Sequence, residues 1–305
     1  MALRGRHRPG VTVPNIQTPG FGTAQTYAVR RFGAPLKVKL SLPPLLWLAV
    51  FYALPLALIV VVSSAARGTY GGLLWDLSLK SYLRFFDPLY LGVLARSIGV
   101  AAFTTFICVV LAFPISWQMT RLSKRGQQIM VLLILIPFWT NVLVRLYAWM
   151  FLLGSSGPFN SVLMRLGLPP LEFLYTWKAV LLGFVYGALP FMILPLYASL
   201  EKIDKSLIEA AHDLYASSWQ VFLRVILPLS KPGLVAGSVL VFASIPCDFV
   251  TPDIMGGSKY ALMGNLIQQQ YLVVRDWPFG SALALIQMLV IGGGLIVYLR
   301  QEQSA

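Results

Sequence analysis

Acidic residues are scarce in this sequence: 11 Asp and Glu stand against 24 Lys and Arg, and charges of both signs make up only 11% of 305 residues. Cysteine and histidine are scarcer, at two residues each. Neither His7 nor His212 has a metal-ligand neighbour at useful spacing. Cys108 and Cys247 stand apart in apolar stretches, so packing is expected of them, and neither a disulfide nor a metal site. The chain also lacks a GxxxxGK[ST] phosphate loop, an HExxH helix and a GxSxG nucleophile turn, which leaves the usual chemistry of a nucleotide-binding or hydrolytic enzyme out of sight. Its first 40 residues have little periodicity, four prolines (Pro9, Pro14, Pro19, Pro35), and no apolar core with a cleavage site. A disordered basic tail is expected there, with the first apolar run serving as an uncleaved signal-anchor.

What the chain has in quantity is apolar surface, 57% of its residues. A soluble protein of this size needs more polar surface, so the bilayer is the natural solvent. Six windows, 43–66, 93–118, 129–152, 178–198, 234–254 and 278–299, each offer the roughly 20 residues that span about 30 Å of hydrocarbon. Basic residues set the orientation. Arg4, Arg6, Arg8, Arg30, Arg31, Lys37 and Lys39 precede the first window, Arg121, Lys124 and Arg125 follow the second, Lys202, Lys205, Arg224 and Lys231 follow the fourth, and Arg300 follows the sixth. With six spans these fall on one side, which places both termini and residues 199–233 in the cytoplasm. The net charge of +13 is then topological, and no basic stripe interleaved with aromatics argues for nucleic acid.

Residues 208–233, IEAAHDLYASSWQVFLRVILPLSKPG, interrupt this apolar pattern. Ser206-Leu207-Ile208-Glu209 and Ser217-Ser218-Trp219-Gln220 both fit capping boxes, so two short helices joined by a tight turn are expected. Pro228 should stop an ordinary helix, and Pro232-Gly233 should reset the chain before the fifth window. Glu209 and Asp213, four apart, share a face. Spacing alone also fits an amphipathic connector lying on the membrane. The segment resembles the EAA loop of binding-protein-dependent ABC importer permeases: Glu209-Ala210-Ala211 matches the start of that pattern, and Val225-Ile226-Leu227-Pro228 its hydrophobic-x-Leu-Pro end. Tyr215 stands where the family usually has glycine, a residue suited to a left-handed turn. A tyrosine kept in that geometry costs roughly 1 kcal/mol. The resemblance implies that the loop is a coupling helix seated in a cleft of a cytoplasmic ATPase, involving Glu209, Ala210, Ala211, Asp213, Tyr215, Leu227 and Pro228. A short capped helix is a stiff lever, and its apolar and acidic side chains can anchor in a groove.

Four further stretches, IPFWTNVLVRLYAW (136–149), LPFMILPLYASLEKID (189–204), DFVTPDIMGG (248–257) and RDWPFGSA (275–282), resemble spermidine/putrescine permeases, the first of the two permease subunits of such systems. The resemblance spans about 43–299. It implies an all-α, polytopic membrane protein with six transmembrane helices in the type I importer permease fold, the tail at 1–40 and the permease domain at 41–305. It further implies a second permease subunit, two ATPase subunits and an extracytoplasmic solute-binding protein in a bacterial inner membrane. ATP and magnesium would be bound by the partner chains, with no cofactor on this one. The solute could be a polyamine, or an amino acid, opine or phosphonate. A membrane enzyme or scaffold with a chance EAA-like loop stays open as a different class.

Residue chemistry offers candidates for the pathway. Asp248 lies inside an apolar window, where a carboxylate is expensive and usually functional. Asp253 follows on the outer side, and Pro246 and Pro252 should loosen the helix between them. Asp248 could line the path or pair with Arg145 or Arg96. Trp139 and Asn141 cluster with Thr140 and Arg145 near the middle of the third window. Trp139 could stack on a cation or act as a packing anchor. Arg275-Asp276-Trp277-Pro278 reads as a structural cap on the last span, or as a contact to the binding protein.

Overall fold

The computed structural model describes residues 42–68 and 71–303, so the expected tail at 1–40 lies outside the described residues. The chain divides into two units, Met1–Ala53 and Leu54–Ala305. Six helical stretches among the described residues are long and apolar enough to cross a membrane: Leu42–Ser63, Pro88–Arg121, Val142–Arg165, Trp177–Leu200, Ser218–Cys247 and Trp277–Ile296.

In order, the elements are α1 (Leu42–Ser63), strands β1 (Ala65–Arg67) and β2 (Leu73–Leu77), α2 (Lys80–Phe85), α3 (Pro88–Arg121), α4 (Lys124–Trp139), α5 (Val142–Leu153), α6 (Pro158–Arg165), α7 (Trp177–Leu200), α8 (Lys205–Asp213), α9 (Ser218–Cys247), α10 (Val250–Gly256), α11 (Met263–Leu272) and α12 (Trp277–Gln303). The small antiparallel hairpin β1–β2 was not foreseen among the helices. Asp87 starts α3 by accepting from the Leu89 amide at 2.9 Å, with Pro88 at the first helical position, where its missing N–H is harmless. Ser123 caps α4 in the same way through the Gly126 amide.

The core is built where α3, α7 and α9 pack together. Met119, Phe184, Met192 and Leu196 are fully buried there. Ser116 Oγ donates to the Ile193 carbonyl at 3.2 Å across α3 and α7. Gly233 and Gly237, one turn apart on α9, let that helix lie against α7. A Cβ at Gly233 would stand 2.5 Å from the Pro195 carbonyl oxygen, and one at Gly237 would stand 2.7 Å from Met192 Sδ. This is the small-residue packing by which membrane helices approach closely without a hydrophobic drive between them.

Four expectations need correction. The window 129–152 is not one helix: α4 ends after Pro137, Thr140 is extended, and Asn141 opens α5 by accepting from the Leu143 amide at 2.8 Å. The window 234–254 is likewise broken. α9 ends in a tight 3₁₀ turn at Ile245–Cys247, and the separate helix α10 begins after Asp248-Phe249. Pro228, in contrast, does not stop its helix. A π-helical turn at Phe222–Ile226 precedes it, and the Leu227 amide reaches back five residues to the Phe222 carbonyl, so the wider turn absorbs the ring. Pro232 sits within the same helix.

Candidate functional site

Two regions carry the residues singled out from the sequence. The first is the short helix α8 and the turn after it. Its cap is Asp204, which accepts from the Ser206 amide at 3.0 Å, and not the expected box at Ser206–Glu209. That amide holds the Asp204 carboxyl below the usual aspartate range. The second box is present: the Gln220 amide donates to Ser217 Oγ at 3.3 Å, and the Ser217 amide donates to Gln220 Oε1 at 2.9 Å. Between the helices, the Tyr215 amide bonds the His212 carbonyl and the Ala216 amide bonds the Ala211 carbonyl. This paired closure puts Tyr215 at the position that favours glycine, and Tyr215 does adopt the left-handed φ of +60°. Its side chain is 98% exposed.

Ile208 and Ala211 pack against the core, while Leu207, Leu214, Tyr215 and Trp219 stay exposed. Ala210 and Asp213 are exposed as well, Leu227 is half-buried and Pro228 is exposed. Glu209 lines a cavity of about 660 Å³ between α8 and the α3–α4 turn, facing the same space as Arg121 and Lys124. Lys124 Nζ reaches Glu201 at 2.7 Å across that space, which holds the Glu201 carboxyl below the usual glutamate range. Glu209 is exposed at the rim of this cavity, on a different side of the segment from the exposed Leu214, Tyr215 and Trp219.

The second region lies where the two broken helices meet, α5 against α10. A cavity of about 170 Å³ opens there, lined among others by Phe138, Arg145, Tyr186, Ser244, Asp248 and Thr251. Asp248 is half-buried and caps α10. Its Oδ1 accepts from the Val250 amide at 2.9 Å and the Thr251 amide at 3.1 Å, and Oδ2 accepts from Thr251 Oγ1. A carboxylate at a helix start also meets the positive end of the helix dipole. The anticipated ion pair is absent among the described residues: neither Arg145 nor Arg96 comes within 4.0 Å of Asp248. Arg145 faces the same cavity, 5.8 Å from the Phe138 ring centre and 5.9 Å from that of Tyr186, and its Nε has no acceptor among the described residues.

The other candidates are not brought to this cavity. Trp139 is exposed at the end of α4, and Asn141 is committed to capping α5. Asp253 sits on α10 and accepts from the buried Asn265 Nδ2 at 2.9 Å and from Ser258 Oγ. Tyr186 and Ser244 were missed by sequence reasoning. Tyr186 sits in an unbroken apolar run and Ser244 just before Pro246, and only the pairing of α7 with α9 sets both beside Arg145.

Residues Arg275–Pro278 form a third region, built around the buried carboxylate of Asp276. Asp276 is 3% exposed. Arg84 meets its carboxylate at 3.1 Å and Arg67 at 3.7 Å, and Oδ1 accepts from the Phe279 amide at the start of α12. Arg84 also stacks 4.3 Å from the Phe279 ring centre. The hairpin is tied to the same corner, through Arg67 to the Val274 carbonyl and the Gly72 amide to the Arg275 carbonyl.

Comparison with known proteins places this architecture. Residues 88–302 match the family model described as binding-protein-dependent transport system inner membrane component. The chain is 41% identical over 259 residues to the spermidine/putrescine transport system permease protein PotB of Escherichia coli K12, covering 84% of this chain and 94% of that one. The protein of that name in Haemophilus influenzae is 38% identical over 84% of this chain and 91% of its own. A putative 2-aminoethylphosphonate transport system permease, PhnU of Salmonella typhimurium, is 28% identical over 86% of this chain and 93% of its own. In fold, the chain resembles a bacterial ABC transporter involved in the import of alginate, with a TM-score of 0.73, 14% identity, and coverage of 88% and 95% of the two chains. This multi-pass chain, with its capped EAA segment and paired broken helices, belongs to the family of inner-membrane permease components of binding-protein-dependent ABC importers.

Proposed function

We propose that this chain forms part of the pathway by which a polyamine of the spermidine/putrescine class enters the cell. The observation that carries the solute is the 41% identity to a spermidine/putrescine permease over most of both chains. Its own residues are compatible with that role. Asp248 presents a carboxylate to a cavity walled by Phe138, Phe184 and Phe191, where an alkylammonium can meet both charge and ring faces. Trp139, Asn141 and Asp253 would act at most at the approaches to this cavity.

The chain works with partners. A second permease completes the pathway, two ATPase subunits bind ATP and magnesium, and an extracytoplasmic binding protein delivers the solute. The exposed Leu207, Leu214, Tyr215 and Trp219 form the apolar surface that seats the coupling segment on an ATPase. Both termini and residues 199–233 face the cytoplasm, following the basic bias. Glu209 transmits the movement, because its side chain lies at the rim of the cavity shared with Arg121 and Lys124. Replacing Glu209 by lysine in the assembled transporter should abolish stimulation of ATP hydrolysis by the loaded binding protein while membrane abundance holds. Stimulation at the wild-type level would contradict this assignment.

Arg145 favours one second reading, a solute that carries an anionic group beside an amine, such as an aminoalkylphosphonate. Titrating the cognate binding protein with spermidine and with 2-aminoethylphosphonate separates the two. Saturable binding of spermidine supports the first, and binding of the phosphonate alone overturns it.

A further inference from the structure

The cavity between α5 and α10 holds two opposite charges that do not touch, and their hydrogen-bonding needs are complementary. A carboxylate has about four lone-pair sites. Asp248 uses three of them, on two amides and one hydroxyl of the first turn of α10. Arg145 offers an Nε–H with no acceptor among the described residues, on a side chain that faces the same cavity. One acceptor site of the carboxylate is left over, and the five N–H donors of the Arg145 guanidinium, the buried Nε–H among them, have no acceptor among the described residues. A guanidinium at membrane depth is costly unless it is paired or hydrated. Both residues also stand next to breaks in their helices, Arg145 just after Thr140-Asn141 and Asp248 between Cys247 and Val250. Such breaks are where small changes of backbone angle are absorbed. At about 170 Å³ the cavity within this chain is smaller than the roughly 300–1,000 Å³ of ordinary solute sites.

We propose that Arg145 is a tethered substitute for the solute's ammonium: when the pathway is empty, closure of α5 onto α10 pairs Arg145 with Asp248, and the arriving amine competes for that carboxylate and releases the pair. Arg145 is thus a positioning residue that holds the empty transporter at rest. This rests on the reading of the chain as a permease for a cationic solute. The pair gives the solute a specific contact to break, and a solute with several ammonium groups competes better than one with a single charge.

The test uses the complete transporter reconstituted in lipid, without solute or binding protein, so it does not depend on which solute is carried. ATP hydrolysis is measured for wild type, Arg145→Gln, Asp248→Asn and the double variant. Each single change should raise solute-free hydrolysis by roughly threefold or more, and the double variant should match the larger single effect, the non-additivity of residues in one pair. Arg145→Lys, which keeps the charge, should fall between wild type and Arg145→Gln. Should Arg145→Gln fail to accumulate, Asp248→Asn carries the test alone, because asparagine can keep the two amide bonds of the cap. Solute-free hydrolysis at the wild-type level in Asp248→Asn, or effects that simply multiply in the double variant, would overturn the proposal. The solute assignment fails separately, by absence of spermidine binding to the binding protein.

Discussion

Asp276 and Asp248 are both carboxylates inside apolar surroundings, both stand at the start of a helix, and the protein treats them in opposite ways. Asp276 is nearly sealed, with two arginines and a helix-start amide on its oxygens. Asp248 is half-buried, bonded only to the first turn of α10 that follows it, and shares a cavity with an arginine that does not reach it. A saturated buried charge has nothing to offer a visitor, and disturbing it disturbs the fold. A charge beside an unmet counter-charge can change partners. Partner saturation, more than burial, separates the carboxylate at Asp276 from the one at Asp248, the proposed pathway residue.

The strongest way to break this comparison is at Asp276. Asp276→Asn removes the shared partner of Arg84 and Arg67, each with its side chain about half exposed. Water then takes up part of the loss. The expected destabilisation is about 2 kcal/mol, below the roughly 3–5 kcal/mol of fully buried pairs, read as a lowered midpoint of thermal unfolding in detergent and reduced membrane abundance. Arg84→Gln should cost more than Arg67→Gln, because Arg84 is closer and stacks on Phe279. Equal effects would show that the ring contact contributes nothing.

A smaller and opposite effect is expected at Tyr215, whose left-handed backbone carries a strain and whose side chain is 98% exposed, with no compensating contact among the described residues. Tyr215→Gly should stabilise the isolated protein by roughly 1 kcal/mol. If its fully exposed ring seats on the ATPase, the same change should weaken co-purification of that subunit. A gain in stability with unchanged assembly would assign the tyrosine no role beyond the turn.

The sequence is most legible where the signal is local. The apolar windows and the Ser217–Gln220 box rest on patterns within a short stretch of chain, while the left-handed residue at 215 was implied by the resemblance to permeases that carry glycine there. Prolines are less legible, marking the break at Pro246 but not the helix that continues past Pro228 and Pro232. Pro228 was expected to end a helix that a π-turn carries past it, because hydrogen bonds five residues apart leave no mark in composition. The break at Thr140 lay inside a run apolar enough to read as continuous, whereas Pro246 and Pro252 had marked the helix around Asp248 as loosened, and it is broken there. Asp248 was recognised from charge in the wrong solvent, but its relation to Arg145, a shared cavity without contact, depends on how α5 and α10 pack. The two arginines on Asp276 come from residues 209 and 192 positions away in sequence, beyond any local pattern.

The most direct test of the central claim sets Asp248→Asn beside Asp276→Asn in the same cells, measuring polyamine uptake and membrane abundance for each. Asparagine keeps the shape at 248 and can keep the two amide bonds of the cap on its oxygen, while it removes the charge and turns the acceptor facing the Thr251 hydroxyl into a donor. Asp248→Asn is predicted to accumulate at the wild-type level with uptake lowered roughly tenfold, about 1.4 kcal/mol of lost interaction with the passing solute, whereas Asp276→Asn loses uptake only in proportion to its lost abundance. Normal uptake by abundant Asp248→Asn protein would contradict the account and remove this carboxylate from the pathway.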